Sequence, residues 1–527
     1  MMEDNNDNNK NSGKLKRRDL LKGMASLPVL GFFGYEISKD SSLSAASKQP
    51  PQINMLEKLG LNTELQFETF PNAIGKSADT IRLGIIGAGS RSIDLLFRCG
   101  FSTKANIENI KGSDQYETWL SFDDMNVVLT GVCDVHDMHA ERAMDSARNG
   151  VKATKGEKIP KVKRYKHYQD LLANPDIDAV IIATPDFHHA HMTIEALQAG
   201  KHVYCEKGPT RTEEEIKPLV AAINNSNLVY QLGHQIRHNP IYPFAADMIK
   251  KGVLGAVNLV EVTTNRNSTS GAWVRHLNSD GTPKPGDINS IDWDQWLGDS
   301  PKVPFSLDRY YNWTKYFDYN NGLLNQLFSH EYDAVNGLLN CGIPTSCVSS
   351  GGIYYYKDGR EIPDLLQVVF EYPDRGMTLI YSASLANSRG RGRVFMGRDA
   401  SMEIGSSIIV TPDGYSVQYK KELELRQINP SKPMFTIASG KSNIDATSSA
   451  TEKYYTDRGL TSFNIGGETH DVTHLHLKEW INVIRNGGEV SCGVDKAFQE
   501  SVTIQMAKKA YFEGRKVTWD PINQKII

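Results

Sequence analysis

The chain has 527 residues, with 59 Lys and Arg against 62 Asp and Glu and a net charge of −3. That length allows two or three domains, and the near-neutral balance offers no basic surface for nucleic acid or an anionic membrane. Six cysteines, Cys99, Cys133, Cys205, Cys341, Cys347 and Cys492, contain no CxxC pair, which argues against a structural zinc site. They read as buried free thiols, with a Cys341–Cys347 pair open in an oxidising compartment.

The first apolar segment, "KLKRRDLLKGMASLPVLGFFGY" (14–35), has a basic start and a run too short to span a bilayer. It reads as an export signal. Arg17-Arg18, followed by Asp19, Leu20, Leu21 and Lys22, resembles the twin-arginine type. "SLSAAS" (42–47) offers cleavage after Ala46, with no cysteine nearby for a lipid anchor. Residues 1–46 are thus expected to be a signal peptide, 47–78 a polar linker, and the mature protein periplasmic without a stable membrane anchor.

The next elements are a strand over Ile81–Ile86, the turn "GAGSRS" and a helix carrying Ile93, Leu95, Leu96 and Phe97. A glycine-rich turn between a buried strand and a helix N-terminus cradles phosphate, because backbone N–H groups and the helix dipole both face the anion. Gly87 permits the turn and Gly89 allows close approach, with Ser90 and Arg91 beside them. Ser92 takes the place of the usual third glycine. A second strand, Val127–Cys133, ends at Asp134. An acid there accepts hydrogen bonds from an adenosine ribose and repels a 2′-phosphate, so NAD is expected rather than NADP. Polar residues from about 100 to 124 intervene and read as a looped insertion.

Strands Ala179–Ala183 and His202–Cys205 follow, separated by helices. The alternation implies a parallel doubly wound sheet, in which ligands bind beyond the strand C-termini. Gly87, Asp134, Thr184-Pro185 and Glu206-Lys207 all fall there. Lys207 is therefore expected in the cleft rather than at the surface.

The glycine turn, Asp134, "ATPDFHH", "AGKHVYCEKGPT" and "LGHQIRHNP" (232–240) together resemble the Gfo/Idh/MocA oxidoreductases, from about residue 79 to the end. The resemblance implies an α/β protein: an N-terminal Rossmann dinucleotide-binding domain (79–235) and a C-terminal α/β domain (236–527) with a large open, mostly antiparallel sheet. It implies NAD, a small-molecule carbohydrate substrate and a homo-oligomer. It adds His189 and Glu206 to the cofactor-binding residues and makes Lys207 catalytic, with Gly208 inserted before Pro209. In "WTKYFDYNNGLLNQLFSHEYDAVNGLL" (313–339), His330 matches the catalytic histidine. Gln326 stands where the family has an aspartate, and Asp333 is placed to orient the ring. Arg237, Trp273, Trp313 and Lys315 are candidate sugar contacts, joined by Arg275, Tyr310, Tyr311 and Tyr316.

His470 and His474 would share a helical face if a helix started early; no metal is expected there. "WDP" (519–521) reads as a closing strand. Three functions fit: a sugar or polyol oxidoreductase with recycled cofactor, a glycoside hydrolase acting by transient oxidation and elimination, and a non-catalytic sugar-binding protein.

Overall fold

The computed structural model describes residues 53–61, 65, 80–267, 274–278, 280–438, 462–465 and 468–527. The expected signal peptide and Trp273 lie outside them. Residues 55–420 and 429–527 form one compact unit; 421–428 fall in a second.

Six strands make the first sheet: β1 (Ile81–Ile86), β2 (Val127–Cys133), β3 (Lys163–Tyr165), β4 (Ala179–Ile182), β5 (His202–Glu206) and β6 (Tyr230–Gly233). Their order is β3-β2-β1-β4-β5-β6, and every pairing is parallel. Helices α1 (Ser90–Arg98), α2 (Asp137–Arg148), α3 (His189–Gln198) and α4 (Ile216–Asn224) connect the strands. Strands so covered need apolar residues on both faces, and β4 is buried at every position. The chain reverses between β1 and β4, so a crevice opens at their C-terminal ends.

The insertion expected to be looped contains two helices, Lys104–Ile110 and Asp114–Ser121. Thr103 and Ser113 cap them, accepting from the N–H groups of Asn106 and Tyr116. Ile107, Ile110 and Trp119 bury against Phe97 in a small core of their own. Short polar segments hid this, because each helix carries only one or two core residues.

The second sheet has ten strands. They are β7 (Val257–Thr263), β8 (Ser346–Gly352), β9 (Leu365–Tyr372), β10 (Met377–Ser384), β11 (Arg393–Gly397), β12 (Ala400–Ile404), β13 (Ser407–Pro412), β14 (Phe435–Ala438), β17 (Val517–Asp520) and β18 (Lys525–Ile526); β15 (Ser462–Ile465) and β16 (Glu468–Asp471) form a separate hairpin. The order is β14-β13-β12-β11-β7-β10-β9-β8-β17-β18. Only β7 and β10 pair in parallel. β9 and β10 alternate buried and half-exposed residues, the pattern of a sheet with one covered face.

Helix α5 (Ser329–Leu339) is preceded by a π-helical turn, Leu324–Phe328. Phe328 seats that turn on the large sheet, 5.0 Å from the Phe370 ring and 4.7 Å from Tyr381. Two late helices follow, α6 (Val472–Asn486) and α7 (Val494–Glu513), and α7 bridges the two sheets. Leu477, Trp480 and Ile481 of α6 bury in the core formed by β1, β2 and β4. A ring buried as completely as Trp480 contributes about 3 kcal/mol by area. Helix α7 packs on β6, β8 and α5. The six cysteines are free, Cys341 and Cys347 included.

Candidate active site

A cleft of about 850 Å³ lies at the C-terminal ends of β1, β2, β4 and β5. Gly87, Gly89, Ser90, Arg91, Asp134, Thr184, Pro185, His189, Glu206, Lys207, Gln326 and His330 all line it.

Gly87 has φ +79°, and a Cβ there would stand 2.9 Å from the Thr184 backbone nitrogen, so only glycine fits this turn. A Cβ on Gly89 would meet nothing within 4 Å, leaving the loop open to the cleft. The Ser92 hydroxyl donates to the Gly87 carbonyl and is fully buried, so it braces the turn from behind. Asp134 accepts from the Ala88 N–H at 2.5 Å and the His136 N–H at 2.7 Å. The carboxylate thereby ties the end of β2 to the glycine turn. Arg142 stands beside it, donating to the Ala88 carbonyl at 2.9 Å.

These features fit a bound dinucleotide. An open glycine turn faces a helix N-terminus, an acid sits one strand over, and the buried Thr184 hydroxyl at the cleft wall has no hydrogen-bond partner among the described residues. Glu206 accepts from Arg91 Nε at 2.7 Å, linking β5 to α1. His189 places Nδ1 3.0 Å from the Gly208 carbonyl and Nε2 2.9 Å from the Thr184 carbonyl. It holds the two loops together, with both nitrogens committed to backbone.

Lys207 follows β5 into the cleft. Its ammonium donates to the Asn325 carbonyl at 2.9 Å and to Gln326 Oε1 at 3.2 Å. The inserted Gly208 has φ +80°, and a Cβ there would lie 3.0 Å from Asn325 Nδ2. The insertion is thus a left-handed turn packed against the π-helical segment that receives the lysine. π-Turns recur at functional sites because they re-aim the residues around them. Here the turn presents Gln326 and His330 to one cleft.

Asp186 was not singled out in the sequence. It is 3% exposed, and its Oδ2 accepts from Gln326 Nε2 at 2.9 Å and Asn325 Nδ2 at 3.0 Å. Burial raises its pKa above the ordinary carboxylate value, with Lys207 pulling the other way. Its position beyond β4, where ligands bind in such sheets, was the available signal.

His330 is held differently from expectation. Asp333 pairs with Arg237, at 3.0 Å from Nε and 2.5 Å from Nη2, rather than with the histidine. The ring partner is His234, Nδ1 to Nδ1 at 3.3 Å. Burial, then His234, Lys207, Arg91 and Arg393, push the His330 pKa well below its ordinary value, so the ring is neutral. Arg237, spent on Asp333, is absent from the cleft wall, which corrects its expected substrate role. Lys315 is corrected likewise: it is 4% exposed and paired with Asp308 and Asp358. Trp313, Arg275, Tyr310 and Tyr311 line the cleft, and Trp296 joins them. Tyr316 instead donates to Asp308 at 2.5 Å. His474 stacks on Phe122 and bonds the Arg98 carbonyl, while His470 lies on β16, so the two do not share a helix face.

A parallel sheet in this strand order, with a glycine turn at β1 and an acid at β2, is a dinucleotide-binding fold. Residues 98–234 match the GFO_IDH_MocA family model, "Oxidoreductase family, NAD-binding Rossmann fold". Levoglucosan dehydrogenase of Pseudarthrobacter phenanthrenivorans is 37% identical over 90 residues, 17% of this chain and 23% of that protein. A glycosyl hydrolase family 109 protein of Shewanella baltica is 28% identical over 182 residues, 34% of each chain. The sequence matches thus span a quarter to a third of these relatives. The fold extends further. A solved levoglucosan dehydrogenase in complex with NADH and levoglucosan superposes over 84% of this chain and 99% of its own, with TM-score 0.54 and 16% identity.

Proposed function

We propose that this protein is an NAD-dependent oxidoreductase acting on a hydroxyl of a sugar or polyol, with its cofactor retained and recycled on the enzyme. The observation that carries this is the convergence of Lys207, from the first sheet, and His330, from the helix on the second, on the cleft beneath the glycine turn. NAD held by the Gly87–Ser92 turn, Asp134 and Thr184 would supply the hydride acceptor. His330, kept neutral by burial, accepts the hydroxyl proton. The Lys207 ammonium, oriented by Asn325 and Gln326, stabilises negative charge as it develops on that oxygen. Trp313, Tyr310 and Tyr311 offer apolar faces with polar tips, the surface a sugar ring stacks on. The levoglucosan and D-xylose dehydrogenases among the relatives support a carbohydrate substrate.

The twin-arginine-like Arg17-Arg18 segment supports, within this proposal, a periplasmic mature protein, where free NAD is scarce and a dissociating cofactor would not be replaced. A homo-oligomer built on the large open sheet completes it. The longest of the relatives' alignments described, to a glycosyl hydrolase family 109 protein, supports a second chemistry on the same residues. In it the sugar is oxidised, the aglycone eliminated, water added and the ketone reduced again.

The test is to purify the exported protein, denature it and assay the supernatant for NAD(H). Stoichiometric cofactor is expected; an empty protein overturns retention. Arg17-Arg18→Lys-Lys should hold the protein in the cytoplasm, and normal export of that variant overturns the location.

A further inference from the structure

Behind His330, away from the cleft, two more buried ionisable side chains continue in line. His234 is fully buried at the end of β6. Its Nδ1 lies 3.3 Å from His330 Nδ1, and its Nε2 lies 2.5 Å from Glu500 Oε2. The imidazole rings stand nearly perpendicular, at 87°, with centroids 5.2 Å apart. Glu500 comes from α7, is 1% exposed, and its second oxygen has no hydrogen-bond partner among the described residues. His234 does not line the cleft; His330 does.

We propose that Glu500, His234 and His330 form a proton relay, in which the substrate proton comes to rest on His234 rather than on His330. This rests on the oxidoreductase proposal above. Glu500 and His234 act through His330 and are positioning residues; only His330 meets the substrate. The carboxylate fixes the tautomer of His234 by accepting from Nε2–H, which leaves Nδ1 with a lone pair. That lone pair accepts from His330 Nδ1–H, so His330 must present an unprotonated Nε2 to the cleft. During oxidation the substrate O–H bond breaks and an Nε2–H bond forms on His330. Its Nδ1–H bond breaks in turn, and the proton joins His234 Nδ1. The electron pair left on the substrate oxygen would become part of the carbonyl, with NAD, when bound, supplying the hydride acceptor. The resulting His234 imidazolium lies against Glu500, and His330 has only exchanged one neutral tautomer for the other. Reduction runs the same transfers backwards, which suits an enzyme that returns its hydride.

The electrostatic surroundings agree with this division of labour. Burial alone would depress His234, but Glu500, followed by Asp333, raises its pKa against Arg237. His330 faces Lys207 from the loop after β5, Arg91 from α1 and Arg393 from β11, all cations that disfavour a proton charge on its ring. Glu331 neutralises Arg393 in a buried pair. Tyr230, Tyr332 and Cys492 also lie near Glu500, each held protonated by burial.

The test uses Glu500→Gln, which keeps the shape and removes the charge, with Glu500→Asp as the charge-retaining control. Selective 15N-histidine NMR on the full chain, without substrate, reads the tautomers directly. Wild type should show His234 titrating above His330, and Glu500→Gln should move the His234 titration to lower pH. In kinetics, kcat for oxidation should rise with pH as His234 loses its proton. Glu500→Gln should shift that limb to lower pH and reduce the maximum on the order of 100-fold, the low end for an acid–base group. NAD affinity and KM should stay within twofold, and Glu500→Asp should recover most of the rate. An unmoved His234 titration in Glu500→Gln overturns the relay. Because that reading needs neither substrate nor turnover, it is separable from failure of the oxidoreductase proposal, which would appear as wild-type protein inactive on every sugar tested. Should Glu500→Gln fail to fold, His234→Asn supplies the same kinetic comparison, and an unchanged pH limb there also overturns the relay.

Discussion

Asp186 and Gln326 meet in the cleft at 2.9 Å, the amide donating to the carboxylate, and Gln326 passes the contact on to Lys207 through its Oε1. The negative charge that the family resemblance puts on the helix is here supplied from the loop after β4. The absence of an acid at 326 therefore does not leave the lysine without a carboxylate in its neighbourhood, and it ceases to favour a non-catalytic sugar-binding protein. If the charge matters more than its origin, Asp186→Asn should cut kcat by roughly a hundredfold, the lower worth of an acid–base group. Asp186→Asn with Gln326→Asp should restore much of it. Equal activity of the single variant and wild type would show the carboxylate to be dispensable.

Lys207→Ala should leave the fold and NAD binding nearly intact, since the phosphate-facing turn is held by Gly87, Ser92 and Asp134. Activity should fall by roughly two to four orders of magnitude, and His330→Ala should do the same. The double variant should lose less than the product of the two, because both serve one oxygen atom. Steady-state kinetics on the three variants with equilibrium NAD titration measures this; multiplicative losses would mean separate roles.

Asp134 should make cofactor-stripped protein bind NAD more tightly than NADP. Its carboxylate also holds the glycine turn through Ala88, and Arg142 stands next to it. Asp134→Ala should therefore weaken NAD binding and, with the acid's charge gone and Arg142 still beside the turn, narrow or reverse the preference. Fluorescence titration with both nucleotides gives the ratio. Equal affinities in wild type would remove Asp134 as the discriminator.

Acid should unfold the protein through its buried histidines. Burial lowers His188 and His476 to about 3, from an ordinary 6.5. The unfolded chain then binds protons that the folded chain refuses, so this stability is complete above about pH 6.5 and lost as pH falls toward 3. Tm should drop across that window, and His188→Gln should flatten the slope. His188 Nε2 serves only the Trp296 carbonyl, 2.8 Å away, a bond glutamine can reproduce. Identical slopes for variant and wild type would count against it.

What the sequence disclosed follows the range of the interactions. Strand, glycine turn and helix at 81–98 lie next to each other in the chain, and their β-branched run and helical spacing made them readable. Lys207 was located by one rule about strand ends. The losses came where a charged side chain had to choose a partner far away. Nothing in "LGHQIRHNP" indicates that Arg237 takes Asp333, 96 residues on, or that His234 takes Glu500, 266 residues on. Lys315, near aromatics in the chain, reads as a sugar contact; its aspartates pair with it only because the short helix bearing Asp308 and the loop bearing Asp358 come together. Asp186 is silent in the sequence because its meaning depends on what stands at 326.

The two helices that return from the second sheet have a consequence for how the molecule comes into being. Trp480 completes the core of the nucleotide-binding half, and Glu500 completes the row of groups behind His330. A nascent chain that has made only its first 470 residues lacks both, however well its β-strands have paired. Contacts at such sequence separation form late and slowly. The nucleotide-binding half is therefore not a portable module that could be cut out at residue 235, and assembly must await release of nearly the whole polypeptide from the ribosome.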